Sequence, residues 1–376
     1  MLHSPTIGSG AKLLARMSEI EWEPCLLVQQ SAPELELKFS QATGRPGDLM
    51  RYFAGSPWMA DAMLRISVQV TTVVQVDADL IDQAGLVVSQ DNSCRFCFGV
   101  QRAFLRVLGM SEKRIARLEQ DLLTGDFTPR ERAVIDFSRR ISQSKPPVHA
   151  GDLEPLRANG FSTDEIAEFA GLIGVHLILN RVSTFIALPP RRLEQLPDQW
   201  WARLFRPLLA IKFRRMQHRG KPVTLAAPER SGPFSATVNA LDGLPLGRDL
   251  RVIIDRLWTS AALPSRTVTL LLAVVARALG AKACEQQARD MLRTEGVDHA
   301  DTEQILTHLA SPILSDTERL LIPLARETVW YQPAVIQRHC AEVQQQLSAA
   351  EFLDFCGAVA LLNTMCRLEF LADLRE

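Results

Sequence analysis

Residues 162–179, Ser-Thr-Asp-Glu-Ile-Ala-Glu-Phe-Ala-Gly-Leu-Ile-Gly-Val-His-Leu-Ile-Leu, carry two signals at once. Ser162 and Glu165 stand in a capping-box pattern: the hydroxyl accepts from an orphan backbone N–H of the first turn and the carboxylate reaches back to the cap's own N–H. Behind them Ile166, Phe169, Ala170, Ile173, Leu177 and Leu179 recur at mostly helical spacing. Ser348-x-x-Glu351 is followed in the same way by Phe352, Phe355, Val359 and Leu362, and two more capping boxes stand at Thr128-x-x-Glu131 and Ser315-x-x-Glu318. Four helix starts in two corresponding pairs predict an all-α chain.

Working outward from these starts uncovers a repeat. A shift of 187 places Cys97 on Cys284, Arg102 on Arg289, Leu105 on Leu292, Arg106 on Arg293, Gly109 on Gly296, Thr128 on Ser315 and Glu131 on Glu318. A shift of 186 then places Ser162 on Ser348, Glu165 on Glu351, Phe169 on Phe355, Gly171 on Gly357 and Arg181 on Arg367. We read this as a tandem duplication: an N-terminal extension over 1–34, a helical bundle over 35–190, a linker over 191–224 and a second, degenerate bundle over 225–376. Val68–Val74 is rich in β-branched residues, but with helical patterns on both sides and no second strand-like run to pair with, it is expected to be helical. The linker is basic and amphipathic. It sets Trp200, Trp201, Phe205, Leu208, Leu209 and Ile211 among Arg203, Arg206, Lys212, Arg214, Arg215, Arg219 and Lys221. Its aromatic side is expected to pack on the bundles, with a membrane-surface or partner-binding helix as the other reading.

Composition narrows the function classes. A length of 376 residues suits two domains, and 47% hydrophobic with 23% charged residues is a globular balance. Lys plus Arg number 42 against 43 Asp plus Glu, a formal net charge of -1, so no overall field draws in nucleic acid. The densest apolar stretch, Leu270–Ala276, is too short to cross a bilayer, and the N-terminus lacks a secretory hydrophobic core. The expectation is a cytoplasmic protein without a transmembrane segment.

Seven cysteines, an odd number, argue for reduced thiols, and one close pair stands out: Cys94-Arg95-Phe96-Cys97. Asp91-Asn92-Ser93 supplies N-cap candidates just before it, and Phe98, Phe104, Leu105 and Leu108 follow at helical spacing. Two thiols three residues apart at a helix start share a face, and the first-turn N–H groups favour thiolate. Zinc would need four ligands, and no second cluster supplies them, so no metal is expected. Two readings stay open, a redox dithiol and a packing pair at a helix start.

These residues carry a resemblance. A CxxC opening a helix, Asp82 twelve residues before it, Gly160-Phe161-Ser162-Thr163-Asp164-Glu165-Ile166, Asn180-Arg181 and Phe53-Ala54-Gly55-Ser56-Pro57 before a helix together resemble the AhpD-like family of alkylhydroperoxidases, also called carboxymuconolactone decarboxylase-like. The likeness covers about 35–190 and, through the repeat, extends weakly over 225–376. It implies two tandem AhpD-like helical bundle domains and a peroxidase in which Cys97 attacks a hydroperoxide or other small electrophile. Cys94 then resolves it as a disulfide, a thiol or dithiol donor reduces the pair, and no cofactor is needed. It also implies assembly into a homo-oligomer.

The chain departs from the family pattern at two positions. Where the family carries a glutamate and a histidine as proton relay, this chain has Asp82 and Gln101, and Gln cannot act as a base. Asp82 either orients a water through Gln101 or serves as a first-turn carboxylate on the helix dipole. His176, on one face with Asn180, is a substitute base or a core imidazole. In the second copy Cys284 keeps the attacking position, but Ala281, Ala288 and Thr269 replace the resolving thiol, the imidazole and the acid. That copy is expected to be structural, with no intramolecular disulfide partner for Cys284, a redox-sensitive thiol being the other reading of that cysteine. The competing functional readings are a non-catalytic binding or assembly module and a decarboxylase-like enzyme.

Overall fold

The computed structural model describes residues 21–374 apart from 121–126, 191–198, 217, 220, 222, 227–230 and 260. Most of the N-terminal extension and the start of the linker therefore lie outside the described residues. The described chain is all-α, with eighteen α-helices. The first half runs α1 (Pro33–Thr43), α2 (Pro57–Gln69), α3 (Ala78–Asp91), α4 (Arg95–Leu108), α5 (Glu112–Gln120), α6 (Pro129–Gln143), α7 (Glu154–Ala158) and α8 (Thr163–Phe185). After α9 (Trp200–Leu204) and α10 (Arg206–Met216) come α11 (Ser235–Asn239), α12 (Pro245–Thr259), α13 (Ser265–Leu279) and α14 (Lys282–Thr294). The chain ends through α15 (His299–His308), α16 (Asp316–Glu327), α17 (Pro333–Gln344) and α18 (Ala349–Arg367).

All four capping boxes form, each with both reciprocal hydrogen bonds, at the starts of α6, α8, α16 and α18. The helix starts repeat at the sequence offset. α3 and α13, α4 and α14, α5 and α15, and α6 and α16 each begin 187 residues apart, and α8 and α18 begin 186 apart. The turn between α3 and α4 closes with Ser93 N–H donating to the Gln90 carbonyl and Cys94 N–H to the Ser89 carbonyl; Gly280 to Arg277 and Ala281 to Ala276 repeat it between α13 and α14. The residue at the tight position is left-handed in both, Ser93 at φ 48° and Gly280 at φ 74°. Glu168 of α8 accepts from the N–H groups of Val74, Gln75 and Val76, and Asp354 of α18, 186 residues on, accepts from Ala262 and Ser56. A buried carboxylate thus holds the loop after α2 in one half and after α12 in the other.

The halves pack through α8 and α18, which lie against each other at the centre of one continuous apolar core. Their contacts are reciprocal. Gly171 of α8 leaves room for Leu246 of α12, whose Cδ2 would lie 2.7 Å from an added Cβ, and Gly357 of α18 leaves room for Met59 and Trp58 of α2 at 2.4 and 2.7 Å. Two buried arginines cross over as well. Arg181 donates to the Thr328 carbonyl at the end of α16 at 2.6 Å. Arg367 donates to the Ile141 and Ser142 carbonyls at the end of α6 at 3.2 and 2.6 Å, to the Val329 carbonyl at 3.2 Å and to Asn363 Oδ1 at 2.7 Å. Last-turn carbonyls have no partner within their own helix, so each half supplies a cation to a helix end of the other. This exchange is the geometry of a two-fold interface inside one chain.

Three expectations need correction. Val68–Val74 is not helical throughout: α2 stops at Gln69, and Thr72–Val73 pairs in parallel with His218–Arg219, so the linker supplies the partner strand. The aromatic side of the linker does not pack on the bundles as a whole. Phe213 stacks edge-on against Phe104 of α4 with ring centroids 4.7 Å apart, while Trp200, Leu204, Phe205, Leu208 and Ile211 are exposed. Leu270–Ala276 is also not the limit of apolar length: α8 and α18 are long and apolar enough to cross a membrane by length and composition, and 94% and 83% of their most apolar 18-residue stretches are buried in the fold.

Candidate functional site

Cys94 is itself the N-cap of α4. Its sulfur accepts from the Cys97 N–H at 3.3 Å, so the cap expected from Asp91, Asn92 or Ser93 is a thiol. Cys97 then falls at the third helical position, on the same face and one turn on. Both are buried, Cys94 completely and Cys97 with 9% exposure. The thiol of Cys97 meets the Ser183 hydroxyl of α8 at 3.6 Å. Burial pushes the Cys97 thiol well above its ordinary range and the neighbouring Cys94 adds to the rise, against a smaller opposing pull from Ser183. At Cys97 the dipole-favoured thiolate expected from the helix start therefore loses to desolvation.

A polar seam leads away from the thiols between α3 and α8. Asp82, Gly85 and Ser89 share one face of α3, and His176, Asn180 and Ser183 share one face of α8, at spacings of three, four and seven. Ser89 donates to the Gly85 carbonyl at 2.7 Å and to Asn180 Oδ1 at 3.2 Å. The imidazole of His176 fills the space over Gly85, where an added Cβ would lie 2.7 Å from Cε1. Burial lowers its pKa to about 4, so the ring is neutral. His176 precedes Ser183 by seven residues, about 10 Å along the helix axis. It lines the seam rather than touching the thiol.

Asp82 is buried on the second turn of α3, where Asp77 is the cap and Asp79 the first-turn acid, which removes the first-turn reading. Gln101 is half-buried one turn after Cys97 on α4. The structure thus brings Cys94, Cys97, Ser183 and Asn180 to one end of the seam and sets His176 and Asp82 further along it.

Two further groups, Ser183 and Tyr331, escaped sequence reasoning, and Asp91 takes a role other than the expected cap. Ser183 follows Asn180 by three residues, a spacing that would have found it. Asp91, three residues before Cys94, is pushed up to about 6 by burial despite Arg139 nearby. Tyr331 comes from the second half: its ring lies 4.6 Å from the Arg181 guanidinium, and burial pushes its hydroxyl well above its ordinary range, with Cys94 and Cys97 adding to the rise. Burial lowers Arg181 to about 10, and its Nε and Nη2 have no hydrogen-bond partner among the described residues. The end of the seam is therefore built from both halves.

The equivalent place in the second half is not stripped. Cys284 lies at the third position of α14, and the Ala281 N-cap has a backbone close to that of Cys94. Cys366 of α18 brings its thiol against that of Cys284, which corrects the expectation that Cys284 lacks a partner. Glu369 accepts from the Cys284 N–H at 3.2 Å. At the offset of 186, Cys366 and Glu369 occupy the places of Asn180 and Ser183. A further pair, Cys340 and Cys356, is wholly buried in the core of this half.

Among the described residues no group of three or more His, Cys, Asp or Glu is placed to hold a metal ion. Neither a comparison with protein-family models nor a search of the curated proteins finds a match for this chain.

Proposed function

We propose that the chain is a thiol-dependent peroxidase or disulfide redox protein of the AhpD-like type, with Cys97 as attacking and Cys94 as resolving thiol. The observation that carries this reading is the Cys94–Cys97 pair at the start of α4, with the Cys97 sulfur facing Ser183. Cys97 sulfur attacks the distal oxygen of a hydroperoxide, the O–O bond breaks, and an alcohol leaves with the thiol proton. Cys94 then displaces water from the sulfenic acid to close the disulfide, and a thiol or dithiol donor restores the pair.

The hydroxyl of Ser183 supports the developing thiolate by a hydrogen bond. Tyr331, stacked under the Arg181 guanidinium, brings a phenol of the second half into the electrostatic surroundings of the pair. Peptide mapping by mass spectrometry after one equivalent of an organic hydroperoxide should find a Cys94–Cys97 disulfide. Cys97→Ala should abolish reductant-dependent peroxide turnover; full turnover in that variant rules the mechanism out.

A second reading, a non-catalytic binding or assembly module, draws on the burial that keeps Cys97 protonated. Titration of Cys97 alkylation against pH separates the two. Alkylation already fast at pH 7 favours the peroxidase, and alkylation that rises only above pH 9 favours the module.

A further inference from the structure

We propose that Cys284, Cys366 and Glu369 form a second thiol redox centre, in which Cys284 attacks a hydroperoxide, Glu369 takes its proton and Cys366 closes the disulfide. The proposal goes beyond the Cys94–Cys97 reading and does not depend on it. Its first ground is position. Cys284 stands where Cys97 stands in the other half, at the third residue of a helix whose preceding turn has the same hydrogen bonds. The resolving position of the first half is Ala281 here, but a thiol has been regained from a different helix: Cys366 lies on α18 beside Cys284.

The second ground is the carboxylate, which the first half lacks. Glu369 accepts from the Cys284 N–H at 3.2 Å, at the opening of α14, so its carboxylate stands beside the thiol-bearing residue. Cys284 thus has a carboxylate on one side and a second thiol on the other, the relation that an activated, resolvable thiol requires. Burial raises the Glu369 carboxyl above its ordinary range, towards the working pH of a general base.

Access differs between the halves as well. α10 covers the outer face of α4 through Phe213 and Phe104, whereas the face of α14 that carries Ala283, Gln286, Asp290 and Thr294 is open surface. Glu369 is half-buried, while Cys284 and Cys366 are buried with exposures of 4% and 3%.

In the reaction the Cys284 sulfur bonds to the distal peroxide oxygen and the O–O bond breaks. The thiol proton passes through Glu369 to the departing alkoxide, giving an alcohol and Cys284 sulfenic acid. The Cys366 thiol then attacks that sulfur, and water leaves as the disulfide forms. Two electrons pass from the two sulfurs to the peroxide, and a small dithiol returns them.

The test uses the full chain carrying Cys94→Ala and Cys97→Ala, so that the first site is silent. After one equivalent of cumene hydroperoxide, mass spectrometry should find peptides linked through Cys284 and Cys366. Adding Cys366→Ala should leave a sulfenic acid at Cys284 that dimedone traps, and Glu369→Gln should slow disulfide formation at least tenfold at pH 7. Cys284 and Cys366 remaining free thiols while a control dithiol oxidises would overturn the proposal, as would an unchanged rate in Glu369→Gln. The unsubstituted chain, mapped in parallel, guards against misfolding of the variants. A disulfide at 94–97 alone sinks this inference and leaves the first site standing; one at 284–366 alone does the reverse.

Discussion

The first half, through α8, and the second half, from α11, use the same turns, caps and central helix, yet place different chemistry at equivalent positions. Facing the start of α4 are Asn180 and Ser183, and facing the start of α14 are Cys366 and Glu369. The backbone hydrogen bonds that fix the helix start are unchanged between them. A scaffold that positions a side chain at the third residue of a helix is thus separable from the groups that make it react, and the two halves hold two solutions side by side.

The arginine exchange gives the sharpest way to break the likeness. Arg367 makes four hydrogen bonds to groups in both halves, whereas Arg181 makes one and leaves Nε and Nη2 without partners. Arg367→Met should therefore cost about 3–5 kcal/mol in urea unfolding, because it strands several buried acceptors at once. Arg181→Met removes a poorly partnered buried charge and should cost less than about 2 kcal/mol. Equal losses would mean that the exchange is symmetric in energy as well as in geometry.

His176 has no counterpart, since the second half carries Leu362 at that place. The folded imidazole titrates at about 4 against an ordinary value of 6.5. Between these values the unfolded chain takes up a proton that the folded chain refuses, so stability falls as pH drops from 6.5 towards 4, by up to about 3 kcal/mol. Chemical denaturation at pH 7 and pH 4.5 should show that loss shrink in His176→Gln.

The paired glycines come next. Gly357→Ala drives a Cβ into Met59 and the Trp58 ring and should cost about 2–3 kcal/mol; Gly171→Ala meets only the ends of Leu246 and Leu241 and should cost about 1–2 kcal/mol. Thermal melts of the two variants rank them directly. The smallest effect lies at the shared turn. Ser93 holds a left-handed conformation that Gly280 adopts without strain, so Ser93→Gly should stabilise by less than about 1 kcal/mol and Gly280→Ser should destabilise by a similar amount.

How much could be read beforehand follows from the range of each interaction. Capping boxes and helical periodicity are local, and the helices beginning after Thr128, Ser162, Ser315 and Ser348 were legible for that reason. The Cys94–Cys97 pair was legible because its members are one helical turn apart. Cys366 lies 82 residues from Cys284, and Tyr331 lies 234 from Cys97, so neither leaves a mark in local pattern. The repeat offset did carry Cys366 to the place of Asn180, but only a structure shows that this place faces a thiol. The strand at Thr72–Val73 is two residues long, too short for any alternation to register, and its partner lies in a segment whose sequence reads as a charged helix. Burial, too, is a property of the assembled core. The rise in the Cys97 pKa comes from helices distant in sequence, which the helix-start argument could not weigh.

The crossing of Arg181 and Arg367 also bears on inheritance. Each half finishes a helix end of the other with a buried arginine, and because the acceptors are backbone carbonyls that any residue would supply, what must be kept is Arg181 and Arg367 themselves. The two halves can differ around their cysteines while they stay tied at their arginines, and a chain cut between them would leave a helix end unfinished on each side.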